Sequence, residues 1–453
     1  MTFNGVAATV TSSTSTQIVT AVPATATTGS IGVTTPTGNA TSGSAFTVVA
    51  SSAPTISSLS PPSGVTATAV TVTGTNFDPV GPRNRLLFNA TPAAITSPTT
   101  TSLTTSVPAS ATSGKVSVGT VNGTATSTTD FIIAPPPYAV SDILVTDRMT
   151  PGSSKTVTIG TANKIGLILF DGVAGQRVSL KIGTGMTSGV TLFNHNHTAL
   201  GSTTVGVVEA YIDTVTLTAN ATYTILVDPV GTATGSITLT LYDVPADFSG
   251  TITAGGSSQT VTTTIPGQNG RLTFTGTVGQ RISLKVGTGP LGGTVSLVGP
   301  DHVQLASTSV PIFGTSFIDT LTLTLAGMYS IVVNHSTNKV GSVQLTLYNV
   351  PADLTATIAA GGSAVTASPA TPGQNAGYTF SGSAGQRVSV YISGVSMTAG
   401  VAIKSPAGRN TRVGDRHGLA GLRRAGDAGD DRHLHRVCRP DVQFHWQRDA
   451  ELV

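Results

Sequence analysis

The tripeptide Gly-Gln-Arg occurs three times in this chain, and the sequences around its copies are alike. The copies begin at Gly175, Gly279 and Gly385. Two other motifs recur with a period of 106 residues: Pro-Ala-Asp begins at Pro245 and Pro351, and Pro-Gly-Gln-Asn begins at Pro266 and Pro372. A fixed period is typical of an array of like domains. Apolar and polar residues alternate between Gly-rich turns, so we predict six to nine β-strands per copy.

A second period, of 85 residues, covers the first third of the chain. It relates residues 1–50 to the back half of the segment 54–133. The matching pairs are Phe3 and Phe88, Asn4 and Asn89, Val22 and Val107, Pro23 and Pro108, Gly29 and Gly114, and Phe46 and Phe131. Short Thr/Val runs with period-2 alternation separate these residues, which predicts the half-buried strands of a sandwich. We therefore expect Met1 to lie inside a domain whose first strands are missing.

The complete copy of this 85-residue unit carries a specific pattern. Its residues are Pro54, Ile56, Pro61, Gly64, Val72, Gly74, Asn76, Phe77, Val107, Pro108 and Gly114. On these residues the segment resembles an IPT/TIG domain, which implies an immunoglobulin-like sandwich. The later copies resemble the bacterial pre-peptidase C-terminal (PPC-like) jelly-roll domain, through the Gly-Gln-Arg entry to one strand and the closing strand pairs that begin at Tyr223 and Tyr329.

We predict an all-β fold of tandem β-sandwiches, Ig-like first and jelly-roll-like after, with a disordered, non-native C-terminal tail. The predicted segments are a partial IPT/TIG domain (1–50), a complete IPT/TIG domain (54–133), a Pro-rich linker (134–138), jelly-roll-like repeat 1 (139–245), jelly-roll-like repeat 2 (246–351), a truncated repeat 3 (352–408) and the tail (409–453).

Composition narrows the class of protein. Charged residues are 9 % of the chain, against roughly 25 % in an average soluble protein. The single cysteine, Cys438, excludes an internal disulfide framework. No apolar run is long enough for a transmembrane helix, and residues 1–20 lack the basic start and apolar stretch of a signal peptide. Nine arginines and seven acidic residues fall within 409–453, so the pI near 9.0 does not indicate a nucleic-acid surface on the rest of the chain.

Near Arg409 the composition changes abruptly from Thr, Ser and Gly to Arg, His and Asp. When the codons of the tail are read one base out of frame, the codon that overlaps that of Trp446 must encode Gly. The codons that overlap three earlier positions can encode Tyr, Asp and Pro. These positions are Leu434, Arg439 and Pro440, and with Trp446 they have the spacing of Tyr223, Asp228, Pro229 and Gly235 in repeat 1. We hypothesise that residues from about 409 onward are an out-of-frame translation.

The tail also holds the residues most like a site. His433, His435 and Cys438 have the side chains of zinc ligands, and a Cys/His pair suits a nucleophile. In an out-of-frame tail these residues have no selected role, so we predict no site there. The nine arginines are offset by acidic residues, so we predict no nucleic-acid binding.

Three weaker patterns remain in the main body. His195 and His197 share one side of a strand or a turn, but the aligned turns of the other copies (300–302 and 406–408) do not keep two histidines, so we predict a turn rather than a metal site.

The carboxylates considered for a calcium site are Asp213, Asp228 and Asp319. Asn334 replaces Asp228 in repeat 2 and the chain has only two glutamates, Glu209 and Glu451, so we predict neither a calcium site nor a paired-carboxylate hydrolase. The Gly-rich stretch 287–293 follows a β run and predicts a loop.

The arginines of the Gly-Gln-Arg motifs leave two interpretations open: a ligand-binding site, or an arginine whose stem lies on the sandwich edge and whose head binds turn carbonyls. We favour the second for Arg177, Arg281 and Arg387.

The sequence predicts no catalytic, cofactor-binding or metal-binding residues and no cofactor, so we expect no enzyme. The families resembled occur mainly in large secreted or surface-attached bacterial proteins. The expected function is a non-catalytic fragment of such a protein, acting as a spacer or adhesive stalk at the cell surface or outside the cell. The alternative is an accessory, carbohydrate-binding module of a secreted enzyme or polymorphic toxin. The partners expected are extracellular glycans or cell-surface proteins, although the main body has no Trp to serve as a sugar-stacking platform.

Overall fold

The computed structural model describes residues 1–48, 52–289, 292–334, 339–383, 386, 388–394, 396, 399–404, 406, 410–416 and 442–447. In these residues the chain forms β-strands and two 3-10 helices, Gly81–Arg83 and Val140–Asp142, which confirms the all-β prediction. No helix in the described part is long and apolar enough to cross a membrane. The chain divides into two compact units, Met1–Val140 with His195–His197, and Ser141–Asn194 with Thr198–Val453.

Residues 1–48 form an incomplete sandwich. Its strands are β1 (Thr2–Phe3), β2 (Val6–Ala7), β3 (Val10–Ser13), β4 (Ile18–Thr20), β5 (Ile31–Thr35) and β6 (Gly38–Thr41). One sheet has the order β2-β1-β5-β6, and β3 pairs with β4.

The next segment is a complete sandwich. Its strands are β7 (Thr55–Ser60), β8 (Ser63–Gly64), β9 (Ala69–Thr75), β10 (Arg85–Phe88), β11 (Thr91–Ala93), β12 (Ile95–Pro98), β13 (Ser102–Ser106), β14 (Gly114–Thr120) and β15 (Gly123–Ile133). The sheets have the orders β11-β10-β14-β15-β8 and β12-β13-β9-β7. Strands β1 to β6 reproduce the pairing of β10 to β15, and β7, β8 and β9 have no counterpart in residues 1–48. Residues 1–48 therefore have the strand pairing of the back half of the second segment.

The missing strands leave apolar residues uncovered. Val107 and Phe131 are 2 % and 1 % exposed in the core of the complete sandwich. Their counterparts Val22 and Phe46 are 43 % and 38 % exposed. Residues 1–48 therefore bury much less apolar surface, which is the main source of stability in a sandwich.

Repeat 1 contains nine strands: β16 (Ile143–Arg148), β17 (Ser153–Ile159), β18 (Ile165–Gly172), β19 (Arg177–Ile182), β20 (Ser188–Phe193), β21 (Ala199–Val205), β22 (Ala210–Thr216), β23 (Ala221–Pro229) and β24 (Gly235–Asp243). They form the sheets β16-β18-β23-β20-β21 and β17-β24-β19-β22. Strands β17 to β24 form a two-sheet jelly roll, and β16 adds a strand parallel to β18 at one edge. The resemblance to a jelly-roll family is confirmed at the level of topology.

Repeat 2 has the same arrangement. Its strands are β25 (Phe248–Thr251), β26 (Gln259–Thr263), β27 (Gly270–Gly276), β28 (Arg281–Val286), β29 (Thr294–Val298), β30 (Gln304–Ser309), β31 (Ser316–Thr322), β32 (Gly327–Asn334) and β33 (Gly341–Asn349). The sheets are β25-β27-β32-β29-β30 and β26-β33-β28-β31. Each repeat encloses its own apolar core, with a stacked pair of rings, Phe170 and Tyr223 in repeat 1 and Phe274 and Tyr329 in repeat 2.

The third copy has one sheet in the described residues. Its strands are β34 (Leu354–Thr357), β35 (Ala376–Phe380), β36 (Ala399–Lys404), β37 (Asn410–Arg416) and β38 (Val442–Gln447), in the order β34-β35-β38-β36-β37. Strands β37 and β38 lie within the segment 409–453 that was predicted as the tail. In β38, Val, Phe and Trp alternate with polar residues, which is the pattern of a strand. The remaining tail positions lie outside the described residues, where predicted disorder stays a prediction.

Candidate functional site between consecutive repeats

The recurring arginines lie where one repeat leads into the next. Arg177 begins β19, and its guanidinium group donates hydrogen bonds to the carbonyl oxygen of Pro245 at 3.0 Å and to Oδ1 of Asp247 at 2.7 Å. Both acceptors belong to the Pro-Ala-Asp segment between β24 and β25. The next link repeats these contacts, with Arg281 donating to Pro351 at 2.9 Å and Asp353 at 2.6 Å. Each arginine therefore ties its own repeat to the start of the following one.

A Pro-Gly turn of the following repeat lies against the outer face of the four-stranded sheet. Ser179 points away from its own core, since its neighbours Val178 and Leu180 are core residues, and yet it is fully buried. The turn before β27 covers it: the Ser179 hydroxyl donates to the carbonyl oxygen of Pro266 at 2.7 Å. Next to it, the Thr214 hydroxyl donates to the carbonyl oxygen of Gly267, also at 2.7 Å.

The second link has the same two contacts at 2.6 Å, from Ser283 to Pro372 and from Thr320 to Gly373. The contact residues of the first link are defined here as joint 1: Arg177, Ser179 and Thr214 form the socket, and Asp247, Pro266, Gly267 and Gln268 belong to the inserted segment. Joint 2 has the socket Arg281, Ser283 and Thr320, and the inserted residues Asp353, Pro372, Gly373 and Gln374.

The inserted segment is held together by its own polar residues. In joint 1, Oδ1 of Asp247 also accepts a hydrogen bond from the backbone N–H of Asn269 at 3.1 Å, and Gln268 donates to the carbonyl oxygen of Ala246 at 2.8 Å. Joint 2 repeats both contacts, Asp353 with Asn375 at 3.1 Å and Gln374 with Ala352 at 2.7 Å. The aspartate thus joins the arginine of one repeat to the Pro-Gly turn of the next.

The glutamine of each Gly-Gln-Arg motif closes the turn in which it lies, and in repeats 1 and 2 this turn precedes β19 and β28. The side-chain oxygens of Gln176, Gln280 and Gln386 accept hydrogen bonds from backbone N–H groups three residues earlier. Arg387, the third arginine, lies outside the described residues.

These contacts account for the recurring polar residues. Arg177 and Arg281 bind chain carbonyls, as expected from the sequence, but the carbonyls belong to the link to the next repeat. Sequence reasoning missed Ser179, Thr214 and Asp247 as partners. The signal that points to them is the period of 106 residues shared by Pro-Ala-Asp and Pro-Gly-Gln-Asn. Chemically, such a joint holds two repeats together through charge-assisted and neutral hydrogen bonds.

The other candidates have local structural surroundings. His195 and His197 lie in the turn between β20 and β21, as predicted. The carboxylates of Asp213 and Asp319 accept hydrogen bonds from the backbone N–H of the next residue. Asp228 lies on β23. No group of three or more His, Cys, Asp or Glu residues suited to a metal ion occurs in the part of the chain that the structure describes.

Two further predictions concern loops and the tail. The described residues of 287–293 form the loop between β28 and β29. His433, His435 and Cys438 lie outside the described residues.

Comparison with known proteins adds a family match for one segment. No curated protein matches the chain. Among solved structures, the pre-peptidase C-terminal domain of a collagenase from Bacillus anthracis is similar at 11 % identity, covering 21 % of this chain and 93 % of that one, with a TM-score of 0.19. SGBP-B from a complex xyloglucan utilization locus in Bacteroides uniformis is similar at 15 % identity, covering 50 % of this chain and 82 % of that one, with a TM-score of 0.19.

An auxiliary nutrient binding protein from Bacteroides thetaiotaomicron is similar at 17 % identity with a TM-score of 0.18. The match covers 24 % of each chain, so this chain spans about a quarter of that protein's length. The family model that matches is the IPT/TIG domain, over residues 54–133. These residues, which form the two-sheet sandwich described above, match the IPT/TIG family model.

Proposed function

We propose that this chain is a non-catalytic part of a large secreted or surface-attached bacterial protein, in which it acts as a spacer or adhesive stalk. The observation that carries the proposal is the use of the recurring polar motifs. In both joints they connect one repeat to the next, at nearly identical distances, instead of converging on a cleft.

Two other features support a structural role. The chain has few charged residues, and three ionic pairs of repeat 1 join partly exposed side chains: Arg148 with Asp171, Lys155 with Asp147, and Lys181 with Glu209. The IPT/TIG match supports a place in an extracellular or surface protein. Flanking modules would then supply any catalytic activity.

The test is an exchange of repeat 2 in the intact gene of the host bacterium. Deleting residues 246–351 removes one period and joins Pro245 to Ala352. If the chain is a spacer, surface attachment should fall when the stalk is shortened. It should recover when an unrelated rigid sandwich of the same length replaces repeat 2. Failure of the unrelated domain to restore attachment, while repeat 2 itself does, would assign a specific binding role to repeat 2. Protease treatment of intact cells checks the proposed location, since a surface stalk must be cleaved.

The accessory binding module is the second candidate, and one exposed side chain favours it. Phe313 lies between β30 and β31 and is 86 % exposed, next to Ile312 at 63 %. An aromatic ring presented in this way is a platform on which a sugar ring can stack. Binding of the full chain on a glycan array, lost in Phe313→Ala and kept in Val207→Ala, would support this module. Val207 is the control because it is 97 % exposed in the equivalent loop of repeat 1, between β21 and β22, and has no ring.

A further inference from the structure

The two joints share a steric feature that hydrogen bonding alone does not require. Gly267 has φ of +90°, and a Cβ placed on it would lie 2.2 Å from Oγ1 of Thr214 and 2.7 Å from the hydroxyl oxygen of Tyr211. In joint 2, a Cβ on Gly373 would lie 2.3 Å from Oγ1 of Thr320. Carbon and oxygen atoms do not approach this closely, so any side chain at this position would force the threonine of the socket to move.

Repeat 1 shows that the turn itself does not need glycine. The residue equivalent to Gly267, fourteen positions before the arginine of Gly-Gln-Arg, is Asn163. Asn163 has φ of +60°, the left-handed conformation that Asn tolerates, and it is exposed. The next residue, Lys164, donates to the carbonyl oxygen of Ser141 at 2.7 Å, as Gln268 donates to Ala246 at 2.8 Å. Repeat 1 therefore forms the same turn with an asparagine in place of glycine, at a position where the turn does not enter a socket.

We propose that each socket is a receptor for the Pro-Gly turn of a following repeat, and that the filled socket fixes the angle between the two repeats. The partner that fits is a repeat with Pro-Ala-Asp followed by Pro-Gly-Gln-Asn at the spacing found in repeats 2 and 3. Repeat 1 has a socket but no such turn, so it is the first member of the array and can only be followed by another repeat. The proposal rests on the spacer function proposed above, because a fixed angle is what gives a stalk its reach.

The test uses the full chain with two spin labels. Cys438 is replaced by Ser, and Thr156→Cys and Thr260→Cys place labels at equivalent exposed positions on β17 of repeat 1 and β26 of repeat 2. Pulsed electron paramagnetic resonance then reports the distribution of distances between the repeats. The wild-type joint is expected to give one narrow peak.

The decisive variant is Gly267→Asn, which gives joint 1 the residue that repeat 1 carries at the same place. The turn keeps its backbone, but the side chain cannot enter the socket, so the narrow peak should be lost. The matched control is Asn163→Gly, which makes the reverse exchange in a turn that fills no socket and should leave the peak unchanged. The double variant Ser179→Ala/Thr214→Val removes the two hydroxyl donors without adding bulk, and it tests the socket if Gly267→Asn does not fold.

A broad wild-type distribution would overturn the proposal, and so would a narrow peak that persists both in Gly267→Asn and in the double variant. Either result would concern only the angle between the repeats, and the exchange of repeat 2 in cells would still decide whether the chain is a spacer. Conversely, loss of the narrow peak in Gly267→Asn would support the proposed role of the joint even if the unrelated domain failed to replace repeat 2.

Discussion

At the scale of single residues, the most buried aromatic side chains of the two repeats differ in their hydrogen bonds. Tyr223 and Tyr329 are fully buried at equivalent positions. The Tyr223 hydroxyl donates to the carbonyl oxygen of Ala219 and accepts from the backbone N–H groups of Thr218 and Ala219, all at 3.1 Å. The Tyr329 hydroxyl donates to the carbonyl oxygen of Leu325 at 2.7 Å. Each hydroxyl therefore pins the turn in front of its own strand.

Removing these hydroxyls tests their contribution. Tyr223→Phe is expected to lower the free energy of unfolding of repeat 1 by about 1–3 kcal/mol, because three backbone groups lose a partner, and Tyr329→Phe to cost repeat 2 about 1 kcal/mol. Denaturant unfolding of the full chain, followed by hydrogen exchange within each repeat, measures both. Equal losses in the two repeats would contradict the importance of the additional bonds of Tyr223.

A second residue-scale prediction concerns pH. Burial lowers the pKa of His197, and the half-buried ring lies in the turn between β20 and β21. Above the unfolded-state pKa of about 6.5 the ring is neutral in both states and pH has no effect through it. Below that pH the unfolded chain takes up a proton that the folded chain resists, so the free energy of unfolding falls as the pH falls.

We expect His197→Asn to reduce this loss of stability between about pH 7.5 and pH 5.5, the range around the reference pKa of histidine. Asn is suitable because residue 197 has φ of +67°. The matched control is His302→Asn, since His302 occupies the equivalent turn of repeat 2 with φ of +63° but is exposed. Thermal unfolding midpoints across this pH range provide the measurement, and an equal reduction by both variants would refute the role of burial.

At the scale of elements, the two Ig-like segments provide a matched pair of aromatic contacts. Phe88 and Phe131 meet edge to face at a centroid distance of 5.0 Å, and Phe3 and Phe46 do so at 5.1 Å. The difference lies in the elements around them, because residues 1–48 have no counterparts of β7, β8 and β9.

We expect Phe131→Ala to cost the complete sandwich about 3–5 kcal/mol, as for a fully buried phenylalanine. Phe46→Ala should cost residues 1–48 less than half of that, because its ring is 38 % exposed and part of its contact surface is water. Hydrogen-exchange mass spectrometry of the full chain resolves the two segments. A cost for Phe46→Ala as large as that for Phe131→Ala would show that another part of the protein completes the first core.

The sequence alone predicted the strands because their signal is local. Alternation of apolar and polar residues marks β19 and β28 without reference to the rest of the chain. The joint was not predicted, because its contacts join residues far apart, such as Arg177 with Pro245 and Ser179 with Pro266. Serine and threonine are abundant on every strand, so composition does not show which hydroxyls meet a carbonyl of the next repeat. Only the recurrence of the three motifs, at spacings of 104 to 106 residues, carries that information.

At the scale of the whole molecule, the copies after Val140 differ in completeness. Repeats 1 and 2 each close a core between a five-stranded and a four-stranded sheet. Repeat 3 has a five-stranded sheet in the strand order of repeat 2, but counterparts of the four-stranded sheet are missing from its described residues. In its described residues repeat 3 has a smaller core cluster, with four buried apolar residues against twenty in repeat 1 and eighteen in repeat 2, and we infer that repeat 3 is the least stable of the three copies.

The hypothesis of an out-of-frame tail explains this difference in completeness and predicts which reading frame would encode the absent strands. If the frame changes near codon 409, the alternative frame must stay open past codon 453 and encode the strands equivalent to β31, β32 and β33. The codon that overlaps that of Trp446 must also encode Gly. Trp446 follows Leu434 at the same spacing at which Gly235 follows Tyr223. The nucleotide sequence of the locus, read well past codon 453, is the measurement.

An open alternative frame that continues the repeat pattern would make the tail an artefact or a recent mutation. In a chain restored to that frame, repeat 3 should then resist protease as well as repeat 2 does, because the added strands would enlarge its core. If the present frame is confirmed and the alternative frame is stopped or lacks the pattern, the hypothesis is wrong. His433, His435 and Cys438 would then be the first residues to test for metal binding.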